Sequence, residues 1–314
     1  MAKRPTTVAF VSSEVEPERW LPPLERALPQ MRFQAWPDVA DPTSIDVALV
    51  AAPPAGVLGR FPNLRFIQSL WMGVDGLLAD PTLPRAVPLA RLIDPGMVAA
   101  MSETVLARVL DWHRHLYRYR VQQASWEWKP LKQFMAADRT VGILGLGALG
   151  ADAAAKLVTL GFRVCGWSRR EKTIPGIEAF FGHDGLEAML KRSEALVCLL
   201  PLTVQTRGLL DARRLALLPQ GGCLINLARG AHVVERDLLA VLDAGHLAHA
   251  YLDVFQSEPL PGDHAFWTHP QVSLTPHIAA LTEPRTALAK VVANLERFAR
   301  GERPEALVDT TAGY

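Results

Sequence analysis

The chain has 314 residues, and its 33 lysines and arginines balance 32 aspartates and glutamates, giving a formal net charge of +1. This near-neutral balance argues against a general polyanion-binding protein. Hydrophobic residues make up 49% of the chain and charged residues 21%, as in folded globular proteins. A chain of this length is near the limit for a single core, so we expect two domains.

Neither a membrane span nor a secretory signal is recognisable in the sequence. The longest apolar stretches, such as 47–55, are too short to cross a membrane, and the run at 8–11 is too short for a signal-peptide core. Cys165, Cys198 and Cys223 lie far apart in strand-like runs without a C-x-x-C pair, which favours buried thiols over disulfides or metal ligands. These features predict a cytoplasmic protein.

The first hundred residues alternate short apolar runs with amphipathic segments. Strands are predicted at 7–11, 32–35, 46–51, 64–70 and 87–89, with helices at 17–28 and 76–83. Alternation of this kind favours a parallel sheet covered on both faces. The sequence therefore predicts a small α/β domain here.

One long helix is predicted from Met97 to about Gln123, because apolar residues recur at helical spacing without an internal proline. Its end, 111–120, reads DWHRHLYRYR and mixes basic with aromatic residues. Such a mixture could contact nucleic acid, but no other basic stripe supports that interpretation. We therefore favour a helix end and exposed arm, with a subunit contact as its candidate role, and expect no nucleic-acid partner.

A second strand and helix series runs from Thr140 to Pro276. Its six predicted strands are 141–144, 162–167, 195–200, 222–227, 248–254 and 272–275. Six strands with helices between them are typical of a dinucleotide-binding doubly wound sheet. A final predicted helix, 284–300, is expected to return to the first domain. The fold class is therefore α/β: a Rossmann domain (100–282) inserted into a flavodoxin-like, substrate-binding domain (1–99 and 283–314).

A glycine-rich turn follows the first strand of this second series. The segment TVGILGLGALG places Gly145, Gly147 and Gly150 in a G-x-G-x-x-G pattern between a strand and a helix. Backbone N–H groups and the helix dipole can then meet a pyrophosphate at close range. Gly145 would permit the tight turn, Gly147 the approach of the ligand, and Gly150 the packing of helix on strand. An ordinary glycine turn is the alternative.

The next strand is followed by Ser168, Arg169 and Arg170, at the place where an acidic residue would bind the ribose 2′-hydroxyl of NAD. A carboxylate would repel a 2′-phosphate, whereas a serine and two guanidinium groups can donate hydrogen bonds to it. NADP is therefore favoured, with NAD possible. Two solvated arginines on a loop are the alternative interpretation.

Three later strands each end near a reactive side chain. Arg229 follows the strand 222–227 in LINLARG, Asp253 and Glu258 lie in YLDVFQSEPLP, and His277 follows Thr-Pro after the last strand. A guanidinium suits a carboxylate and an adjacent carbonyl oxygen. A histidine beside a glutamate can donate a proton to that oxygen. We expect Arg229, Glu258 and His277 to converge around one cleft, although each alone could be an ordinary surface residue.

Metal binding is not predicted. Among nine histidines, His246 and His249 stand three residues apart like a ligand pair. No third ligand is evident, so the spacing is taken as chance.

These motifs resemble the D-isomer-specific 2-hydroxyacid dehydrogenase family over nearly the whole chain. The matching stretches, in family order, are VGILGLGALG, LPLTVQTRGLL, LINLARG, LDVFQSEPLP and LTPHIA. Within the family, PLARLIDPGMVAAMSE and the SRR turn are most similar to the glyoxylate/hydroxypyruvate reductases of the A type. The resemblance implies an oxidoreductase that reduces small 2-keto acids to D-2-hydroxy acids with NADPH, and a homodimer.

The resemblance also implies individual roles. Arg229 would bind the substrate carboxylate and carbonyl, His277 would be the acid/base, and Glu258 would tune it. Asp253 would hold the nicotinamide carboxamide, with a capping or structural role as the alternative. The full implied cofactor set is Gly145, Leu146, Gly147, Ala148, Leu149, Gly150, Ser168, Arg169, Arg170, Pro201, Thr206, Leu227, Ala228 and Asp253. The implied substrate set is Trp71, Met72, Gly73, Arg229 and His277.

One position departs from the family pattern. Trp71 stands where the family usually has a small residue, and Ala51 where the related reductases tend to have tryptophan. Trp71 could fill pocket volume vacated at Ala51 and keep the site suited to small keto acids. A tryptophan packed elsewhere is the alternative.

Four rival functions are considered. Formate oxidation on the same fold is disfavoured, because those enzymes carry glutamine where Glu258 stands. A phosphoglycerate dehydrogenase is disfavoured because no regulatory domain follows Tyr314. A dinucleotide-sensing binding protein without turnover can keep the same residues, and a dehydrogenase of another 2-hydroxy acid is also compatible.

Overall fold

The structure, a computed structural model, describes residues 4–310 and 313–314, and the chain divides into two compact units. One unit comprises the described residues up to Met97 and from Thr282 onward, and the other is Val98–Leu281. The predicted domain limits, 99/100 and 282/283, lie within two residues of these. Residues 1–3 and 311–312, which belong to the predicted flavodoxin-like domain, lie outside the described residues.

The first unit contains a five-stranded parallel sheet. Its strands are β1 (Thr7–Ser12), β2 (Arg32–Ala35), β3 (Val47–Ala51), β4 (Phe66–Ser69) and β5 (Leu89–Ala90). Their order is β2-β1-β3-β4-β5, which is the order of flavodoxin-like sheets, so the predicted parallel α/β fold of this domain is confirmed. Every residue of β3 is buried, since apolar clusters cover both faces of the sheet.

Three helices belong to this unit: α1 (Pro17–Ala27), α2 (Asp75–Ala79) and α9 (Pro284–Arg300). Helix α9 has the bounds that the sequence predicted. The carboxylate of Glu283 accepts a hydrogen bond from the Arg285 N–H, Pro284 occupies the first turn, and Gly301 ends the helix at φ +76°. Val291 and Leu295 of α9 are fully buried in the core of this unit, so the C-terminal part of the chain completes its sheet packing.

The second unit contains a seven-stranded parallel sheet. Its strands are β6 (Thr140–Leu144), β7 (Arg163–Ser168), β8 (Glu178–Phe181), β9 (Ala195–Cys198), β10 (Gly222–Asn226), β11 (Leu247–Leu252) and β12 (Val272–Leu274). Their order is β12-β11-β10-β9-β6-β7-β8, so the predicted Rossmann sheet is confirmed. Strand β8 was not predicted, because EAFF is a short edge strand with no fully buried residue and gives little apolar signal.

The remaining helices are α3 (Pro95–His113), α4 (Leu116–Ala124), α5 (Ala148–Thr159), α6 (Gly182–Leu190), α7 (Ala212–Leu215) and α8 (Glu235–Asp243). None of the helices in the described ranges is both long and apolar enough to cross a membrane.

The prediction of one long helix over 97–123 is wrong. The helix breaks between α3 and α4, where His115 adopts the left-handed conformation at φ +58°. The segment that follows α4 is tied back to this helix, because Leu131 N–H donates to the Tyr119 hydroxyl at 2.9 Å. Apolar spacing continues through the break, so periodicity alone did not reveal it. We call residues 114–135 the arm.

One basic residue of the segment 111–120, Arg120 of α4, is paired with an acidic residue of α3. Both terminal nitrogens of Arg120 donate to Asp111, at 2.7 and 2.8 Å, and the Tyr251 hydroxyl donates to the same carboxylate at 2.6 Å. This network fastens α4 to α3 and to strand β11. It favours the helix-end interpretation of 111–120.

The three cysteines are free and buried, as predicted. Burial raises the pKa of the Cys165 thiol to about 11 and that of Cys198 to about 12, so both stay protonated at neutral pH.

His249 is buried beside this network. Its Nε2 lies 2.9 Å from the Ser273 hydroxyl, its Nδ1 has no hydrogen-bond partner, and the rings of Tyr117 and Tyr251 pack against it. Burial lowers the pKa of His249 to about 4; the nearby cations Arg120, Arg108 and His269 act in the same direction, and Asp111 opposes them.

We expect this depressed pKa to appear as a loss of stability below pH 6.5. The unfolded chain takes up a proton there while folded His249 resists it, so the free energy of unfolding should fall by about 2 kcal/mol between pH 7 and pH 5. Urea unfolding at the two pH values measures this loss. In His249→Gln the loss should shrink by about the same amount, and an equal loss in both proteins would contradict the assignment.

Candidate active site

The glycine turn has the geometry that a dinucleotide pyrophosphate requires. Gly145 adopts φ +102°, and a Cβ there would lie 2.8 Å from the Leu199 carbonyl oxygen. A Cβ on Gly150 would lie 1.9 Å from the Gly145 carbonyl oxygen, so α5 packs on the turn only because this residue is glycine. Gly147 is exposed, with open space where its Cβ would be, at the N-terminus of α5. These residues fit a bound dinucleotide.

The strand next to the glycine turn ends at Ser168. Its hydroxyl is nearly buried and donates to the Arg170 carbonyl oxygen at 2.6 Å, which closes the turn after β7. In this conformation the hydroxyl hydrogen of Ser168 shapes the turn rather than facing a ligand. Arg169 and Arg170 are exposed, so the charged groups of this turn face solvent.

The loop after β9 contributes Pro201 and Thr206. The Thr206 hydroxyl donates to the Pro201 carbonyl oxygen at 2.8 Å and lies 2.8 Å from the Thr203 N–H, which donates to it. His232 also lies within 3.3 Å of that carbonyl through Nε2. The predicted Thr206 therefore closes a tight turn at the carboxyl end of β9.

Asn226, the last residue of β10, shapes the segment that carries Arg229. Its side-chain N–H₂ donates to the Arg229 carbonyl oxygen at 2.9 Å, and its amide oxygen lies 3.3 Å from the Ala228 N–H, which donates to it. Leu227 and Ala228 are buried, whereas Arg229 is half-buried. One guanidinium nitrogen donates to the Ala228 carbonyl oxygen at 2.7 Å, which directs the side chain.

A close backbone contact joins the Arg229 segment to the loop after β11. A Cβ on Gly230 would lie 1.9 Å from the carbonyl carbon of Phe255, so only glycine lets the two segments approach this closely. The N–H of Phe255 donates to Oε1 of Glu258 at 2.8 Å. The structure therefore holds Arg229 and Glu258 on two segments in direct contact.

His277 is paired with Glu258. Its Nδ1 lies 2.7 Å from Oε2 of Glu258, and about half of the imidazole is exposed. A carboxylate can only accept, so Nδ1 carries the hydrogen, and Nε2 is left to donate or accept a proton. The carboxylate also stabilises the imidazolium form. This arrangement can perform general acid/base catalysis.

Asp253 holds the backbone around His277. One carboxylate oxygen accepts from the Thr275 hydroxyl at 2.6 Å and from the Ile278 N–H at 3.0 Å, and the other accepts from the Ala279 N–H at 2.9 Å. The His277 N–H donates to the Asp253 carbonyl oxygen at 2.8 Å. His277 itself has the left-handed φ of +52°, a conformation that costs a non-glycine residue energy and persists only when its surroundings hold it. These hydrogen bonds support a structural role for Asp253, which was the alternative to a contact with the nicotinamide carboxamide.

The predicted substrate loop lies in the first unit, after β4. Trp71 N–H donates to the Ser69 hydroxyl at 3.0 Å, and the Trp71 carbonyl oxygen accepts from the Leu92 N–H at 3.0 Å. The indole is partly buried against the apolar cluster that contains Ala51. Met72 and Gly73 are half-buried. Trp71 and Ala51 therefore do share one packing environment.

Two side chains at the site were missed from the sequence, Asn226 and Lys172. Asn226 could have been found as a polar residue ending an otherwise apolar strand. The Nζ of Lys172 donates to the Leu146 carbonyl oxygen at 2.6 Å in the glycine turn. No signal in the sequence beyond Arg170 indicates that this loop returns to the glycine turn.

The two histidines that resemble a metal pair are engaged in protein contacts. Nε2 of His246 lies 3.0 Å from the Leu218 carbonyl oxygen, and Nε2 of His249 contacts Ser273. Within the described ranges, no cluster of three or more histidine, cysteine or acidic residues has the arrangement of a metal site.

Comparisons with known proteins show which family the chain is similar to. Residues 106–279 match the family model described as D-isomer specific 2-hydroxyacid dehydrogenase, NAD binding domain. The chain is 42% identical to glyoxylate/hydroxypyruvate reductase A of Yersinia enterocolitica, over 98% of this chain and 99% of the relative.

Two solved structures are also similar. A D-isomer specific 2-hydroxyacid dehydrogenase from Xanthobacter autotrophicus in complex with NADPH and MES has 41% identity and a TM-score of 0.95, covering 98% of this chain and 99% of that one. An NADPH-dependent glyoxylate/hydroxypyruvate reductase from Sinorhizobium meliloti in complex with NADP and sulfate has 39% identity and a TM-score of 0.92, covering 98% and 100%.

Proposed function

The chain belongs to the D-isomer specific 2-hydroxyacid dehydrogenase family, and from that premise we propose that it is a reductase of small 2-keto acids that uses NADPH. Glyoxylate and hydroxypyruvate are the expected substrates, as in the names of the relatives. The observation that carries the proposal is the 2.7 Å pair of His277 and Glu258, at one edge of a sheet that also bears the glycine turn.

The second unit would bind the cofactor. Pyrophosphate would meet the backbone from Gly145 to Gly150, and the adenosine 2′-phosphate would meet the turn 168–170. Three further features are the candidates for contacts to the rest of the dinucleotide. They are the turn at Pro201 and Thr206, the buried residues Leu227 and Ala228, and the remaining lone pair on the Asp253 carboxylate. The NADPH and NADP complexes of the relatives support this preference, with NAD possible.

The catalytic work is divided among three side chains. In the reduction the substrate carbonyl carbon receives a hydride, which is the chemistry that the reduced nicotinamide supplies. His277 donates a proton from Nε2 to the carbonyl oxygen, so a D-2-hydroxy acid and the oxidised cofactor are the products. Glu258 stabilises the imidazolium form that donates this proton. Arg229 binds the substrate carboxylate and offsets the negative charge that develops on the oxygen.

A loop of the first unit is also proposed to contribute to substrate binding. The backbone N–H groups of Met72 and Gly73 are proposed to contact the substrate carboxylate. This loop is fastened on both sides, through the Leu92 N–H to Trp71 and through the Thr282 hydroxyl, which donates to the Leu70 carbonyl oxygen at 3.1 Å. A fixed loop supports a fixed carboxylate position.

We also propose that the protein is a cytoplasmic homodimer joined through the arm. Trp126 is 96% exposed and Trp128 is 99% exposed, and Val121 and Met135 are exposed nearby. Of these residues, Met135 also lines an open hollow of about 500 Å³, together with Arg114, Lys132, Phe134 and Arg139 among others. Large exposed apolar side chains concentrated in one segment favour a protein partner. Sedimentation velocity distinguishes the dimer from a monomer, which would contradict this part of the proposal.

One assay tests the proposed function. Absorbance of the reduced nicotinamide is followed with NADPH or NADH against glyoxylate, hydroxypyruvate and pyruvate. Turnover with at least one of these acids, faster with NADPH, is expected. Tight NADPH binding without turnover on a broader 2-keto acid panel would instead indicate a dinucleotide-sensing protein, and oxidation of formate would indicate that rival activity.

Trp71 is proposed to keep the substrate pocket small. Because its indole packs against the cluster that contains Ala51, Trp71→Gly should open volume next to the substrate loop. We expect the ratio of kcat/KM for a bulkier 2-keto acid to that for glyoxylate to rise by about tenfold. An unchanged ratio in the same assay would show that Trp71 is only a packing residue.

A further inference from the structure

The pair of Glu258 and His277 depends on a loop that has little packing around the glutamate. Residues 254–264, which we call the Glu258 loop, lie between β11 and β12. Residues 256–259 of this loop are exposed, so apolar burial does not fix the position of Glu258. Its carboxylate accepts from the Phe255 N–H at 2.8 Å and lies 2.7 Å from Nδ1 of His277. The position of this carboxylate therefore depends on how the loop is held.

One carboxylate outside the loop contacts both of its limbs. Oε1 of Glu235, at the start of α8, accepts from the Gln256 N–H at 3.2 Å, on the limb before Glu258. Oε2 of the same side chain lies 3.5 Å from Nε2 of His264, on the limb after Glu258. The side chains of Glu235 and His264 are only 20% and 23% exposed, so both are largely shielded from water. Glu235 thus bridges the two limbs that carry Glu258 between them.

The hydrogen of the His264 ring faces Glu235. Nδ1 of His264 accepts from the Phe266 N–H at 3.3 Å, so Nδ1 has no hydrogen in the neutral ring. Nε2 then carries the hydrogen, and it is the ring nitrogen that lies next to the Glu235 carboxylate. The imidazole also packs against the ring of Phe266, with the two centroids 4.6 Å apart. His264 is therefore a fixed anchor for Glu235 on the second limb.

A second acid in the same turn of α8 shows what a purely local role looks like. Any acidic side chain in the first turn of a helix is stabilising, because it lies at the positive end of the helix dipole. Asp237 shares that turn, but its carboxylate accepts from the Ala212 N–H at 3.0 Å. Of these two acids, Glu235 is the one that contacts the Glu258 loop. The dipole accounts for both acids and does not account for the two contacts of Glu235.

We propose that Glu235 is a positioning residue for the reduction, and that its carboxylate holds the two limbs of the loop so that Glu258 stays paired with His277. This inference rests on the proposed function and adds a residue to which that function gives no role. Glu235 acts through Glu258 rather than on the substrate. Proton donation requires an oriented imidazole, and a displacement of about 1 Å in a catalytic arrangement can cost about 10²-fold in rate.

The test compares the kinetics of Glu235→Ala with those of a matched control. Glu235→Ala should lower kcat for the preferred 2-keto acid by about tenfold or more, while KM for that acid and the Kd of NADPH change by less than about threefold. His264→Ala, which frees one of the two limbs, should lower kcat by about threefold. Asp237→Ala removes an acid from the same turn with a similarly shielded side chain, 18% exposed, and should keep kcat within about twofold of wild type.

A double-mutant cycle separates positioning from a general structural role. If Glu235 acts through Glu258, then Glu235→Ala should lower kcat by less than about twofold when Glu258→Gln is already present. Hydrogen exchange gives a readout that needs no turnover. Backbone amides of residues 254–264 should exchange about tenfold faster in Glu235→Ala, whereas those of β11 should keep their wild-type rates. Circular dichroism establishes that each variant is folded, and His264→Ala carries the same cycle if Glu235→Ala does not fold.

Three results would overturn the assignment. A loss in Glu235→Ala that persists in full beside Glu258→Gln would mean that Glu235 does not act through Glu258. An equal loss in Asp237→Ala would mean that the charge of the helix turn matters and the loop contacts do not. An unchanged kcat in Glu235→Ala, with an active wild type, would exclude Glu235 alone and leave the proposed function intact. If wild type reduces no 2-keto acid, the proposed function fails and the role of Glu235 fails with it.

Discussion

His277→Ala is expected to lower kcat for reduction of the preferred 2-keto acid about 10²- to 10⁴-fold, the usual contribution of general acid catalysis. The imidazole is fixed through Nδ1 by the 2.7 Å contact with Glu258, and its exposed half leaves Nε2 available for the substrate oxygen. Alanine removes the donor and leaves the glycine turn untouched. Steady-state kinetics with saturating NADPH measure the loss, and the Kd of NADPH should change by less than about threefold.

His183→Ala is a suitable control for this prediction. His183 is an exposed histidine on α6, so its removal should leave kcat within about twofold of wild type. Near-wild-type turnover of His277→Ala with every acid that wild type accepts would remove the proposed mechanism.

Arg229→Ala is expected to raise KM for the keto acid and to lower kcat, with a combined loss of about 10³-fold in kcat/KM. The guanidinium is oriented by the Ala228 carbonyl oxygen, and the backbone carrying it is held by Asn226 and by the contact of Gly230 with Phe255. The variant loses both the carboxylate contact and the charge that offsets the oxyanion. Arg229→Lys should recover only part of the loss, since an ammonium lacks the planar fork.

Arg236→Ala separates this effect from a general loss of positive charge. The side chain of Arg236 is 89% exposed at the start of α8, so its removal should leave both kinetic constants nearly unchanged. If Arg229→Ala kept wild-type KM, the proposed contact with the substrate carboxylate would be wrong.

The sequence identifies Asp253 as a candidate site residue, but it does not predict the hydrogen-bond partners of this side chain. The sequence marks an acid at a strand end and offers two roles, a contact to nicotinamide or a structural one. Its three accepted hydrogen bonds come from Thr275, Ile278 and Ala279, more than twenty residues further along the chain. Spacing along the chain carries no information about such partners, because they become neighbours only when β11 and β12 pair.

The sequence by itself determined the fold class and the identity of most candidate residues. Local rules act over a few residues: apolar runs specify buried strands, Glu283 and Gly301 mark the ends of α9, and G-x-G-x-x-G specifies a turn that only glycine can adopt. Family resemblance then assigned expected roles to those residues. The edge strand β8 was not predicted from the sequence, because its four residues bury too little apolar surface to give a recognisable pattern.

Only the tertiary structure decided how these residues meet. It broke the long helix at His115, because a left-handed residue interrupts the backbone ladder without changing the apolar period. It set Glu258 against His277 and closed the Gly230 segment onto Phe255. It also returned Lys172 to the glycine turn. Each of these contacts joins segments distant in sequence, and the pairing of parallel strands, rather than any local preference, brings their ends to one edge of the sheet.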